Sequence, residues 1–258
     1  HIKIDVDIWH LDDTEINTAI QKSGGIILTD DYVPVENLLA PVVLDSAIDL
    51  LTEKYLEKAK KLRKEGKWDK SISIYKYIIS IDPILSPNMY NEIAKIKVQQ
   101  GKLIEATEAF HKAIEYNEQA EFKTSVAGIH LNLGLLLKEL GQPEEAREQF
   151  RKAIEGFRKE LTKNPNSLKS IISLGITLVE VRELSEAIKY LQQAVNMDPF
   201  GVQNHLMLAQ TFVIQERYDE AIKQLRSSIA FMLENGQNND ATQLQSFLDS
   251  IESEESIK

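Results

Sequence analysis

"LGQPEEAREQFRKAI", Leu140 to Ile154, decides the fold because the chain writes the same pattern five times. The other versions are "EGKWDKSISIYKYII" (Glu65–Ile79), "QGKLIEATEAFHKAI" (Gln100–Ile114), "VRELSEAIKYLQQAV" (Val181–Val195) and "QERYDEAIKQLRSSI" (Gln215–Ile229). A recurring period outranks local propensity, because it fixes the architecture before any single element is placed. In the first stretch Gly141 is followed by Ala146, Phe150 and Ala153, steps of four and three that put small and bulky residues on one helix face. Gly101, Ala106, Phe110 and Ala113 repeat this, as do Gly66, Ser71, Tyr75 and Ile78. The later copies continue with Ala187, Leu191 and Ala194, then Ala221, Leu225 and Ser228.

A small residue on such a face lets two helix axes approach, and the bulky one fills the space between neighbouring pairs. The Gly ends the preceding helix, because it adopts the positive φ that other residues resist. Arg182 and Glu216 stand at that position in the later copies. They must turn differently or bear strain of about 1 kcal/mol, and tight helical turns are expected at both corners.

The helices upstream carry their own mark: Leu133–Gly134 in "LNLGLLLKEL", Leu174–Gly175 in "IISLGITLVE" and Leu208–Ala209 in "HLMLAQTFVI". Each unit is therefore a helix pair. With these residues the chain resembles the tetratricopeptide repeat family, whose unit of about 34 residues carries Leu-Gly, then Ala and Phe, then a closing Pro. Pro83 and Pro199 match the closing position, whereas Glu118 and Arg158 depart from it. The resemblance runs from about Thr52 to Phe231 and implies an all-α right-handed solenoid of about five helix pairs, with a concave groove that binds a partner's peptide or helix.

The matched small residues Ser71, Ala106, Ala146, Ala187 and Ala221 are spaced by 35, 40, 41 and 34 residues. The two long intervals predict that "YNEQAEFKTSVAG" and "EGFRKELTKNPNS" lengthen helices by a turn or more. Helix-pair repeats bury their faces only against neighbours, so the end unit needs a cap. "NDATQLQSFLDSI", Asn239 to Ile251, supplies it with Leu244, Phe247, Leu248 and Ile251 at near-helical spacing. Residues 46–236 are thus assigned to the repeats, and 237–258 to the capping helix and an acidic tail.

The resemblance also implies which residues face the groove: those two before and two after the Leu of each Leu-Gly mark, and those a turn further on. In the third to fifth units these are Leu131, Leu135 and Lys138, then Ile172, Ile176 and Val179, then Leu206, Gln210 and Val213. In the first two units they are Leu56, Lys60, Arg63, Asn91, Lys95 and Val98, a more polar and cationic set. The family's chaperone-tail clamp uses paired Lys and Asn across successive repeats, and the apolar later units argue against one here. An apolar groove of this size points to a partner protein's helix or peptide or to a segment of the same chain, the remaining alternative being tighter packing that buries the stripe between units.

Composition sets what else the chain is expected to do. Of 258 residues 43% are apolar, with 11 Gly, 7 Pro and no Cys, a helix-rich globular composition without disulfides, thiolate metal sites or a Cys nucleophile. The formal charge of −10 argues against a nucleic-acid binder. The one cationic stretch, Glu53 to Lys70, has eight Lys or Arg against four Asp or Glu and reads as a solvated helix face. No run of about 18 apolar residues is present to span a membrane, and no signal peptide is seen. A cytoplasmic location is expected, with any parent polypeptide free to be membrane-attached.

No phosphate-binding Gly loop, Gly-x-Ser-x-Gly or His pair at metal spacing occurs, so no catalysis, metal or cofactor is expected of this chain. His130 and His205 open their units at a bulky position and are expected to pack. The Glu residues of "QPEEAREQ" read as solvated charge.

Residues 1–45 stand apart from the repeats. Ile2, Ile4, Val6 and Ile8 alternate as in a half-buried strand, "DDTEINTAIQK" opens with helix-capping acids, and "GG" leads into the strand "IIL". This predicts a small α/β remnant whose Ile-rich face packs on the first helix pair or pairs its open strand edge with a second copy of the chain in a homodimer. The next stretch, Leu28 to Pro41, is similar to the closing segment of spermidine-synthase-like domains of bacterial fused proteins, matched by Thr29, Asp30, Asp31, Tyr32, Pro34, Val35 and Glu36. That resemblance implies an alternative, in which the scaffold is the regulatory or oligomerising portion of a larger polyamine aminopropyltransferase-like enzyme.

Overall fold

The computed structural model describes the backbone of residues 41–120 and 125–255, with side chains from Thr52 onward in the first segment and as far as Ser253 in the second. Among the described residues the regular structure is helical throughout: eleven α-helices and a single 3-10 turn. The strand–helix–strand reading of the N-terminal segment, its synthase-like motif and its dimerising edge lie outside the described residues, apart from residues 41–45, which are helical.

The chain divides into two compact units, one ending at Thr124 and one beginning at Ser125. In the first, α1 (Pro41–Lys64) pairs with α2 (Trp68–Ile81), a 3-10 turn follows at Pro83–Leu85, and α3 (Ser86–Gln99) pairs with α4 (Leu103–Gln119). In the second, α5 (Ala127–Glu139) pairs with α6 (Pro143–Lys163), α7 (Leu168–Glu180) with α8 (Leu184–Met197) and α9 (Val202–Ile214) with α10 (Tyr218–Glu234), before the last helix, α11 (Asn238–Glu255).

The corners within the pairs share one backbone geometry. At the first, Gly66 N–H donates to the Arg63 carbonyl (3.0 Å) and Lys67 N–H to the Leu62 carbonyl (2.9 Å), with Gly66 at φ +71°. This is the crossed pair of bonds that satisfies a helix's last carbonyls. Gly101 and Gly141 repeat it at φ +70° and +74°. Arg182 and Glu216 do not turn differently: they take the same left-handed φ, +66° and +60°, and make the same bonds. The helices on either side dictate the corner, so these side chains bear the strain. Gly236, at φ +75°, makes a sixth such corner before α11.

The predicted anchors form the core. Ser71, Ala106, Ala146, Ala187 and Ala221 are buried, as are Tyr75, Phe110, Phe150, Leu191 and Leu225. The Leu-Gly mark has a direct steric reason: a Cβ on Gly134 would lie 2.6 Å from the Phe150 ring, and one on Gly175 2.9 Å from Leu191. The bulky residue therefore seats on the Gly of its own pair, a closer partner than the neighbouring pair anticipated from sequence. Ser71, the polar member of the small-residue series, donates its hydroxyl to the Ala59 carbonyl at 2.8 Å, which makes its burial tolerable.

The second long interval lengthens α6 to 21 residues against 14 for α2 and α8, about two turns. Helix α4 has 17, short of a full extra turn and no longer than α10, and residues 121–124 of its interval lie outside the described residues. The extension of α6 packs on the start of α5: Phe157 is buried, and a Cβ on Gly156 would touch that of Ala127. At the far end α11 contacts both α9 and α10, the place a further repeat's first helix would take. Ala241, Leu244, Leu248 and Ile251 bury on its inner face, while Gln245, Ser246, Asp249 and Ser250 face water. The expected cap is thus in place. His130 and His205 are buried as expected; His205 binds the Pro199 carbonyl through Nε2 at 2.9 Å and meets the Ser228 hydroxyl through Nδ1 at 2.7 Å.

Candidate partner-binding groove

In the second unit the first helices of the pairs touch one another, α5 to α7 and α7 to α9, more closely than the second helices do. The first helices therefore form the inner row, and the expected groove residues fall on them. Leu135 is 37% exposed, and Lys138 and Gln210 are also exposed. Ile172, Ile176, Val179, Leu206 and Val213 are half-buried. Leu131 is buried at 7% exposure, so it supports the row rather than presenting a surface. Val179, Leu206 and Val213 lean on the core shared by α8 to α11. The stripe is thus an apolar floor with Leu135 as its most open member. Its edge is polar: Lys138 Nζ lies 2.6 Å from a Glu180 carboxylate oxygen, tying α5 to α7.

In the first unit the expected cationic residues are largely engaged by carboxylates. Arg63 donates to Glu92 at 2.8 Å and to the Gln99 side-chain oxygen at 2.9 Å, and Lys95 donates to the other Glu92 oxygen at 2.7 Å. Lys60 pairs with Glu57 at 2.7 Å; this hydrogen bond holds the Glu57 carboxyl below its ordinary range and raises the Lys60 ammonium. Asn91, Leu56 and Val98 are half-buried. Glu92 is the hub of this arrangement, although it stands outside the set of groove residues expected from sequence. Its signal is the spacing to Lys95, one helical turn further along α3. Behind the network Tyr75 is fully buried, and burial pushes its phenol up, with the Glu92 charge adding to the effect.

Among the described residues no group of three or more His, Asp or Glu is placed to hold a metal, and no helix is long and apolar enough to cross a membrane. The first helices thus carry an apolar row with a polar edge in one unit and a salt-bridged face in the other.

Comparisons with known proteins point the same way. Family models described as tetratricopeptide repeat match residues 85–159, 125–199 and 172–232, together more than half of the chain. The TPR repeat-containing protein YpiA of Bacillus subtilis (strain 168) is 25% identical over 132 residues, covering 51% of this chain and 30% of that protein. The protein CTR9 homolog of Arabidopsis thaliana is 20% identical over 178 residues, covering 65% of this chain and 15% of that protein. The chain thus spans under a third of the length of either curated relative. Among solved structures, a thermophilic TPR protein of Thermus thermophilus superposes with a TM-score of 0.54 at 16% identity, covering 78% of this chain and 98% of that one, which shows the shared fold.

Proposed function

The chain belongs to the tetratricopeptide repeat family of protein–protein interaction scaffolds, and from that premise we propose that its second unit captures the apolar face of a partner helix or peptide on α5, α7 and α9. The observation that carries this is Leu135, 37% exposed on the inner row, beside rows of Ile172, Ile176, Leu206 and Val213 that are only partly covered. Covering such a surface with a complementary apolar helix gains about 25 cal/mol for each Å2 removed from water, against which the loss of freedom of the two partners must be set. Lys138 and Gln210 at the edge give the partner polar contacts that fix its register.

The test uses the full chain immobilised against a lysate of its source cell. Replacing Leu135 and Ile176 together with Lys should abolish retention of the partner, while helical content by circular dichroism and the melting temperature stay close to those of the parent. Retention by a folded double variant would remove the groove from the binding surface. A double variant that unfolds would assign the stripe to the core.

A second reading draws on Thr29, Asp30, Asp31, Tyr32, Pro34, Val35 and Glu36, the residues similar to the end of a spermidine-synthase-like domain. In that reading the scaffold extends a transferase polypeptide and organises its assembly. The reading frame that surrounds this sequence in its genome decides it.

A further inference from the structure

The first unit carries a cationic cleft that the groove reading leaves unexplained. It has a volume of about 690 Å3 and is walled by Lys60, Lys61, Arg63 and Lys64 of α1, by Trp68 at the start of α2 and by Gln99 at the end of α3, with Glu57 as its one acidic wall residue. The chain as a whole carries a formal charge of −10, so this cleft reverses the sign of the molecule locally.

Part of that charge has an ordinary explanation. Cations in the last turn of a helix complement its macrodipole, and Lys61, Arg63 and Lys64 occupy that turn of α1. The other first helices do not need so many: α3 and α5 have one each, Lys97 and Lys138, and α7 and α9 have none. Nor are the cations equivalent. Arg63 is held by Glu92 and Gln99, and Lys60 by Glu57, whereas Lys61 and Lys64 act on Glu65 and Glu57 only at longer range and make no direct ion pair among the described residues. They stand three residues apart on one helix face, about 5–6 Å between their Cβ atoms, a spacing that neighbouring acidic side chains of one peptide can match. The half-buried Trp68 indole and the lysine stems add an apolar wall beside the charge.

We propose that this cleft is a second docking site, which takes an acidic segment of a partner protein by placing two carboxylates on Lys61 and Lys64 and an apolar side chain against Trp68. A peptide fits the mixed charged and apolar wall better than a nucleic acid, whose closely spaced phosphates would meet the field of an acidic protein beyond a short cationic stretch. The site is on the other unit from the apolar groove, so each proposal stands or falls without the other.

The test is fluorescence anisotropy of the full chain with a fluorescein-labelled nonapeptide of Asp and Glu around one central Leu. Lys61→Glu with Lys64→Glu should weaken binding by about tenfold, and binding should fall steeply with added salt. The chain has two tryptophans, so on a Trp9→Phe background binding should shift the Trp68 emission. A peptide with every acid replaced by its amide should not bind. Three results would each overturn the proposal: no binding of the acidic peptide, equal affinity in the folded charge-reversal variant, or tighter binding of a single-stranded RNA of equal charge, the last assigning the cleft to phosphates.

Discussion

At the scale of single residues, the corners give the sharpest reading. Gly66, Gly101 and Gly141 are used for their positive φ, because there a Cβ would meet no neighbour within 4 Å and only the backbone conformation restricts the choice. Arg182 and Glu216 hold the same conformation with a full side chain and bear the cost. Arg182→Gly should therefore raise stability by about 0.5–1 kcal/mol, the relief of strain being partly offset by the greater freedom of glycine in the unfolded chain. Gly141→Ala should lower it by about 1 kcal/mol, since it recreates the strain. Urea unfolding of both variants checks the pair, and a destabilised Arg182→Gly would show that the arginine makes a compensating contact.

At the scale of elements, the pairs α5–α6 and α7–α8 are closed by a small residue meeting a bulky one across a short interhelical distance, Gly134 with Phe150 and Gly175 with Leu191. Ala146 on α6 is 2% exposed and lies one turn before Phe150, whose ring occupies the space a Cβ on Gly134 would need. Leucine at position 146 has no room without separating the helices, so Ala146→Leu should cost about 1–3 kcal/mol. Glu145→Lys, at an exposed position of the same helix, is the control and should stay within about 0.5 kcal/mol. Thermal melts followed at 222 nm compare the two. Equal stabilities would mean that α6 meets its neighbours through a different face.

At the scale of the whole molecule, charge on the outer faces sets the response to acid. Glu57, Glu65, Glu105, Glu148 and Glu220 each accept a hydrogen bond from a Lys or Arg side chain, which holds their carboxyls below the ordinary value of 4.5. A carboxyl whose folded value lies below its unfolded one contributes stability above the unfolded value, and loses it as pH falls through the folded one. The melting temperature should thus stay nearly level between about pH 6 and 8 and decline below about 4.5. Because these pairs are exposed, about 1 M salt should shrink the acid-dependent part. A melting temperature that rose on acidification would contradict this assignment.

The sequence by itself determined the helix-pair register, the buried anchors, the corners, the lengthening of α6 and the capping role of α11. These are legible because each is a local, periodic signal: an i, i+4 or i+3 step, a Gly before it, and a fixed interval to the next copy. Only the tertiary structure decided which of the expected groove residues are exposed. Leu131 and Leu135 carry the same sequence mark, yet the first is buried and the second is 37% exposed, because the neighbouring helices set which turn of α5 is covered. Arg63 meets Glu92 across 29 residues, and Lys138 meets Glu180 across 42. Such pairings depend on the distance between side chains of successive first helices, which is fixed by how one pair stacks on the next and leaves no periodic trace in the residues themselves. The same dependence sets Arg63, which meets Glu92, apart from Lys61 and Lys64, which stay exposed on the solvated face that the stretch predicts.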